Sequence, residues 1–451
     1  MHRNRNRRPN IVVFFTDQQR WDSMGAYGNP LGLAPHFDRF AGRGTLLEAG
    51  ITCQPICGPA RSAFQTGMYP TRTGCHRNTS PLPADARTLA HEFRDAGYRT
   101  GYIGKWHLAS ANPVPAEQRG GYEYWLAANA PEITSEPYEA VLHDNDNRKV
   151  ALPGYRPDAY TDAAIRYIDR HQEEPFFLFV SYLEPHQQNR LDDFTPPDGY
   201  REPYTSRWTP PDLAALKGSA PQQLGGYWGM VKRLDECFGR LLDALKSLDL
   251  LDHTIVLFTS DHGCHFKTRN HLYKQSCHES SVRVPMAFAG PGFDRGGRIA
   301  EPVSLIDLPP TLLEAAGLEV PERMQGRSLL PLLGRETAEW PEEVFIQIST
   351  TQVGRAVRTK RWKYGVDAPG KHPENDAGSD RYVEEFLYDL QSDPYELTNL
   401  IGLESHREVS DALRERLLRR MAEAGEAAPL IDPAPPVRSG QRWVRPEEAL
   451  M

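Results

Sequence analysis

Ile11-Val12-Val13-Phe14-Phe15, followed at once by Thr16-Asp17-Gln18, is a run of apolar residues that ends in a polar triplet. An unbroken apolar run has no wet face. It suits a strand covered on both sides, as in a parallel sheet with helices above and below. Three further runs share the pattern: Tyr98–Ile103, Phe176–Val180, and Thr254–Phe258 with its Ile255, Val256 and Leu257. Helix-period segments lie between them. Leu89, Ala90 and Phe93 share one face, and Gly97 follows where a left-handed stop residue is expected. Tyr227, Met230, Val231, Leu234, Phe238, Leu241, Leu242 and Leu245 keep the i, i+3, i+4 spacing over several turns. The alternation predicts an α/β fold over residues 1–335: a large, doubly wound, mostly parallel sheet sandwiched by helices.

The texture changes past residue 335. Val344–Ile348, Ala356–Val357 and Trp362–Tyr364 read as short, partly exposed strands. A helix around 406–423 carries Val409, Leu413, Leu417, Leu418 and Met421 on one stripe, so 336–428 predicts a smaller C-terminal α+β subdomain. Five prolines between Pro429 and the end predict an extended arm over 429–451. Trp443 in that arm could pack on a second subunit, making a homo-oligomer, or on its own domain. Segments 110–150, 187–222 and 366–381 read as long polar loops, substrate-facing or mobile, with the first two shaping a pocket.

With 451 residues, 39% of them hydrophobic, the chain is too apolar for disorder and too long for one ordinary core. A net charge of −8 argues against nucleic acid or a membrane surface as partner. No stretch approaches the ~18 consecutive apolar residues that span a bilayer. The basic start MHRNRNRR precedes an apolar run shorter than the roughly 7–15 residues of an export signal. Six cysteines in so long a chain do not make a disulfide scaffold, so the expected compartment is the cytoplasm.

In open α/β sheets, ligands bind beyond the carboxyl ends of the strands. Here those ends read Asp17-Gln18, Gly104-Lys105-Trp106-His107, Glu184-Pro185-His186 and Ser260-Asp261-His262-Gly263. Asp17, Gln18 and Asp261 offer hard oxygens and His262 a nitrogen, a set that suits one divalent cation, Ca²⁺ or Mn²⁺. Any one of these Asp residues, taken alone, is as well explained as a cap on the following helix. Cys57-Gly58-Pro59-Ala60-Arg61 opens a further helix ending near Gly67. Cys57 then stands at the helix N-terminus, where backbone N–H groups favour an anion and an acidic thiol. Asn78 reads either as a substrate contact or as a turn residue. His265 and His271 read as pocket-lining or solvated histidines, and Cys237 as core. Cys53, Cys57, Cys264-His265 and Cys277-His278 can be drawn as a zinc site, but their spacing fits no regular finger.

Cys57-x-Pro59-x-Arg61 with Thr66-Gly67 resembles the signature of the type I sulfatases of the alkaline phosphatase superfamily. Further blocks resemble that family in order along the chain: Pro9–Gln18, Gly104–His107, Ser260–Gly263, Arg283-Val284-Pro285, Gln325–Leu329 and Leu387–Leu400. The resemblance implies an alkaline phosphatase-like fold and hydrolysis of sulfate esters, small-molecule or carbohydrate. It implies that Cys57 is converted to formylglycine by a formylglycine-generating enzyme. It also implies one divalent metal (Ca²⁺ first, Mn²⁺ or Mg²⁺ otherwise), held by Asp17, Gln18, residue 57, Asp261 and His262. Arg61 would fix the nucleophile, and Lys105, His186 and Lys274 would neutralise the sulfate oxygens. His186 or Lys274 would protonate the leaving alcohol, and His107 would act as base. Gln18 in place of a second Asp, and Ala60 in place of Ser, also resemble the related phosphonate monoester hydrolases and phosphodiesterases, the alternative activity. Lys105-Trp106-His107 resembles the sulfatases. A two-metal phosphatase would need a second ligand set, and a catalytically inactive binding protein would not need the intact nucleophile, lysine and metal positions.

Overall fold

The computed structural model describes residues 8–294, 297–335, 339–437, 444 and 446–450. Trp443, the expected packing residue of the arm, lies outside the described residues.

Eleven strands form the larger sheet: β1 Asn10–Thr16, β2 Thr45–Ile51, β3 Arg99–Lys105, β4 Tyr124–Ala128, β5 Ala140–His143, β6 Lys149–Leu152, β7 Phe176–Ser181, β8 Thr254–Ser260, β9 Arg283–Val284, β10 Met286–Ala289 and β11 Gly297–Ser304. Their order is β11-β2-β10-β8-β1-β7-β3-β4-β5-β6, with β9 paired to β2. β1 lies parallel between β7 and β8, and β3 is parallel to β7 and β4. β10 is antiparallel to both β8 and β2, so β2 runs in the same direction as β8. The carboxyl ends of β2, β8, β1, β7 and β3 therefore open on one rim.

The apolar runs are explained by two layers of helices. Ile11, Val13 and Phe15 join one buried cluster with Phe177, Phe179, Ile255 and Leu257. Ala60 and Phe64 of the Cys57–Thr66 helix and Leu89, Ala90 and Phe93 of the Leu89–Asp95 helix complete it. Val12 and Phe14 face the other way, with Leu178, Val180, Val256 and Phe258. They meet Tyr160 and Ala164 of Arg156–Arg170, and Leu234, Cys237, Phe238 and Leu241 of Ala220–Ser247. Cys237 is core, as its helical spacing predicted. Each large apolar side chain so buried contributes about 1.5–3 kcal/mol. The Leu89 helix starts on a Thr88–His91 capping box and is followed by Gly97 at φ +86°.

The smaller sheet holds β12 Glu343–Ile348, β13 Gly354–Thr359, β14 Trp362–Asp367, β15 Arg381–Asp389 and β16 Leu430–Asp432, in that order. The helix Arg407–Glu423 packs Val409, Leu413, Leu417 and Met421 against Phe345, Val357, Trp362 and Tyr364. The opposite face meets the larger unit: Val344, Ile346, Ile348 and Ala356 cluster with Ile51, Cys277 and Val282. Here the structure corrects the sequence reading. β12 and β13 are buried along their whole length rather than partly exposed, because both of their faces are covered.

The segment 110–150 is likewise not one polar loop; it contains β4, β5 and the start of β6. The segment 187–222 contains the short helical turns Glu202–Tyr204 and Pro211–Ala215 and is tied down by an Arg201–Asp193 ion pair of 2.6 Å. Between β14 and β15 the chain crosses 368–380 without regular structure, as expected there. Among the described residues no helix is long and apolar enough to cross a membrane.

At the β3–β7 seam, Gly104 sits at φ +107°, and a Cβ there would lie 1.9 Å from the Ser181 carbonyl oxygen. Any side chain must push the two strands apart just where Lys105 leaves the sheet. Gly104→Ala is therefore expected to lose at least about 3 kcal/mol. Urea unfolding checks this: an unchanged midpoint would show that the seam yields freely.

Candidate active site

Five segments leave the rim and converge. β1 ends into Asp17 and Gln18, β8 into Asp261 and His262, β3 into Lys105 and His107, and β7 into the loop carrying His186. Beyond β2 the chain turns through Thr52–Ile56 into the Cys57–Thr66 helix, which closes on Gly67 at φ +70°. The sequence-predicted placement of Cys57 at a helix N-terminus holds. Asn78 Oδ1 accepts the Gly58 N–H at 2.8 Å, so Asn78 caps the same turn.

Cys57 Sγ lies at the centre. Lys274 Nζ is 2.9 Å away, His262 Nε2 3.3 Å, Lys105 Nζ 3.6 Å and Asp17 Oδ1 3.6 Å. Burial alone would push this thiol up. Lys105, Lys274 and His262 instead hold it well below the ordinary thiol range. Arg61 crosses beneath. Its guanidinium reaches Asp17 Oδ2 at 2.9 Å and Asp261 Oδ2 at 3.1 Å, and donates to the Lys105 carbonyl at 2.9 Å and Ser181 Oγ at 2.6 Å. Lys105 Nζ sits 2.8 Å from both Asp17 Oδ2 and Glu132 Oε1.

His186 is buried, with Nδ1 donating to the Gln187 carbonyl at 2.7 Å; burial and the Lys274 charge lower its pKa. His107 takes a left-handed φ of +59°, and its N–H donates to the Asn129 carbonyl at 2.8 Å. His265, one of the two candidate pocket histidines, is wholly buried and reaches the Lys274 carbonyl through Nε2 at 3.0 Å. Burial lowers it to about 4, so it holds Lys274 as a neutral ring. His271 is exposed.

A metal position is read from the donor set. Ligand atoms of Asp17, Cys57, Asp261 and His262 all lie within 4.8 Å of one another, and among the described residues this is the one cluster of its kind. The alternative zinc grouping of Cys53, Cys264 and Cys277 with neighbouring histidines is not assembled. Three observations fit a hard divalent cation. His262 Nδ1 donates to the Gly263 carbonyl at 3.0 Å, which leaves Nε2 bare toward the cluster. Gln18 carries a buried side-chain oxygen without a hydrogen-bond partner. The two carboxylates repel: burial and the charge of Asp17 push Asp261 up to about 6. Asp17 stays ionised, well below the usual range despite burial and the nearby Cys57, because Lys105, His186 and Arg61 face it.

Residues 9–318 match the family model described as Sulfatase, and 269–423 match that of the N-sulphoglucosamine sulphohydrolase C-terminal region. The chain belongs to the sulfatase family. A curated relative, the ulvan-active sulfatase of Formosa agariphila, is 29% identical over 93% of this chain and 82% of its own length. The solved structure of a sulfatase-assigned YidJ protein of Bacteroides fragilis has a TM-score of 0.80 at 26% identity, over 94% of this chain and 98% of that one. The phosphonate monoester hydrolase of Agrobacterium radiobacter shares the fold, with a TM-score of 0.72 at 24% identity over 92% and 96% of the two chains. This sulfatase thus has the alkaline phosphatase-like architecture expected from its sequence.

Sequence reasoning missed Glu132, Ser181 and Gln187, the last of which accepts the Gln18 amide N–H at 2.6 Å. The signal for Glu132 was there in Tyr124–Ala128. Read as a strand beside β3, it places residues 129–132 on the same rim.

The raised Asp261 pKa has a stability sign. Between the unfolded carboxylate value and about 6 the folded chain binds the extra proton, so metal-free stability falls as pH rises through that window. A bound divalent cation relieves this repulsion. Added Ca²⁺ is therefore expected to raise the melting temperature more above pH 7 than near pH 5; a hundredfold excess over Kd corresponds to about 2.7 kcal/mol of added stability. Asp261→Asn should fold and lose that shift. Thermal melts with and without chelator decide it; an equal Ca²⁺ shift in the variant would move the site elsewhere.

Proposed function

We propose that this sulfatase hydrolyses sulfate esters through residue 57 in its formylglycine form, matured by a formylglycine-generating enzyme, with one divalent cation, Ca²⁺ first. The observation that carries the reading is Cys57 Sγ held at a helix N-terminus between two lysines, a bare histidine nitrogen and a carboxylate. Asp17, Gln18, Asp261 and His262 would hold the cation together with residue 57. When present, the cation and the hydrated aldehyde supply Lewis acidity and the attacking hydroxyl.

The remaining work falls to this chain's own side chains. Arg61 keeps Asp17 and Asp261 in register beneath residue 57. Lys105 and Lys274 flank the same point and neutralise the sulfate oxygens, where charge must be stabilised during transfer. Their flanking position also excludes water, since both are almost wholly buried. His186 binds the sulfate as a neutral donor, because its pKa is lowered. Of the two candidate acids this leaves Lys274 to protonate the leaving alcohol. His107 takes the proton from the hydroxyl at residue 57 and so releases sulfate. Asn78, by capping the turn at Gly58, sets the depth of the nucleophile and borders the substrate. The larger unit (1–335) would carry this chemistry, and 336–428 would brace its loops.

Gln18, an amide at a position where a second carboxylate would add negative charge, keeps phosphonate monoester hydrolysis as the second reading. Lys105-Trp106-His107, the block that resembles the sulfatases, keeps the sulfate ester first; its Lys105 Nζ stands 3.6 Å from Cys57 Sγ. The test begins with mass spectrometry of the Cys57 peptide from the native host, where formylglycine reads as a loss of about 18 Da from the thiol. Modified protein is then assayed on aryl sulfate, sulfated sugars and a phosphonate ester. Sulfate-ester turnover that disappears in Cys57→Ala, with an unchanged melting curve, is the expected outcome. An unmodified Cys57, or phosphonate turnover alone, overturns the reading.

A further inference from the structure

Glu132 has no counterpart in the ligand set or in the sulfate-neutralising set, yet it lies inside the site. It is 5% exposed and stands in the short turn Pro131–Thr134 that follows β4. Its Oε1 is 2.8 Å from Lys105 Nζ and 3.7 Å from His107 Nδ1. Two buried atoms on these neighbours have no hydrogen-bond partner: Glu132 Oε2, an acceptor, and His107 Nδ1. Unpaired buried polar atoms are costly, and a complementary pair on adjacent side chains calls for an explanation. Catalytic hydrogen bonds are often long before substrate is bound.

The backbone points the same way. Asn129, three residues before Glu132, accepts the His107 N–H at 2.8 Å. Its side chain bonds both the N–H and the carbonyl of Ala109, at 3.1 and 2.9 Å. The segment 129–132 therefore grips the His107 loop by main chain and faces its ring with a carboxylate. Arg156 fixes the far end. It pairs with Glu184 at 2.7 Å and donates to the Ser135 carbonyl at 3.4 Å, joining this segment to the loop of His186.

We propose that Glu132 is a positioning residue for His107. Its carboxylate holds the imidazole with the proton on Nδ1, facing Glu132, and leaves Nε2 bare toward residue 57. The ring nitrogen that faces Glu132, at 3.7 Å, is the unpartnered Nδ1, so Nε2 is the nitrogen on the other side of the ring. Nucleophile, imidazole and carboxylate then stand in line, the arrangement in which a base is oriented by a third group. In that line the proton from residue 57 goes to Nε2, while the Nδ1 proton stays on the ring. The inference rests on His107 as the base of the proposed hydrolysis.

The test has one arm that needs no turnover. Histidine ring nitrogens are labelled with ¹⁵N in the full chain, and the His107 signals are assigned by their loss in His107→Asn. At mildly alkaline pH the wild type should show a protonated Nδ1 and a bare Nε2, and Glu132→Gln should redistribute the two forms. A bare Nδ1 in the wild type, or identical populations in the variant, overturns the proposal. The second arm is kinetic. Glu132→Gln should lower kcat by roughly 10–100-fold with KM changed less than about threefold, and Glu132→Asp should recover part of the loss. A raised KM at unchanged kcat would mean that Glu132 serves Lys105 and sulfate binding alone, which also overturns it. If the wild type turns over no sulfate ester, the hydrolase reading fails while the ring-proton result still stands or falls on its own. Should Glu132→Gln not fold, the wild-type ring state decides.

Discussion

The guanidinium of Arg61 is the interaction on which the rim depends. It is 2% exposed, and its nitrogens reach side chains or carbonyls at the ends of four strands, β1, β8, β3 and β7. It also belongs to the helix that begins at Cys57. A planar, permanently charged fork suits this task, because several acceptors at fixed angles are satisfied with little further loss of rotamer freedom. Two buried carboxylates without it would face each other across a few ångströms in a medium that screens poorly. The same residue thus makes it possible to bury Asp17 and Asp261 and sets where the nucleophile stands above them.

A net charge of −8 fits an anionic substrate only because the site is electrostatically separate from the surface. Lys105 and Lys274 gather around Cys57 Sγ with Arg61 beneath the carboxylates, and a divalent cation would add to them. Asp17, Asp261 and Glu132 sit behind this group and hold its lysine and arginine in place. A focused positive pole in a low-dielectric cleft attracts one small anion strongly, while the acidic exterior repels extended polyanions.

Much of this was legible in the sequence because it follows from local rules. Ile11–Phe15 and Phe176–Val180 had to be two-sided strands, since no amphipathic pattern divides them, and their polar ends had to share a rim. Cys57 with Pro59 and Gly67 marked its own helix. What was not legible depends on partners distant in sequence. β12 and β13 look half-exposed until Ile51, Cys277 and Val282 cover their second face. β4 to β6 are short strands that pair outward from β3, and the polar residues and turns around them hide the pattern in a reading of 110–150 as a whole. Glu132 is signalled only by the strand Tyr124–Ala128 before it; its meaning comes from Lys105 and His107 arriving from the neighbouring strand. His265 read as a pocket histidine, and it is instead the ring that fixes the Lys274 main chain.

The smaller sheet also takes part in positioning. Thr351 donates to the Gln275 carbonyl at 2.6 Å, one residue past Lys274, and Gln275 donates to the Pro55 carbonyl at 3.1 Å, two residues before Cys57. Ser349 accepts from Gln54 at 2.8 Å. Deeper in the seam, Lys363 of β14 is buried between Glu279 at 2.9 Å and Glu396 at 2.7 Å. A buried charge so enclosed contributes little net stability, but it tolerates few alternative packings. The C-terminal strands thus bond both the loop before Cys57 and the loop bearing Lys274, whose sulfur and amine stand 2.9 Å apart.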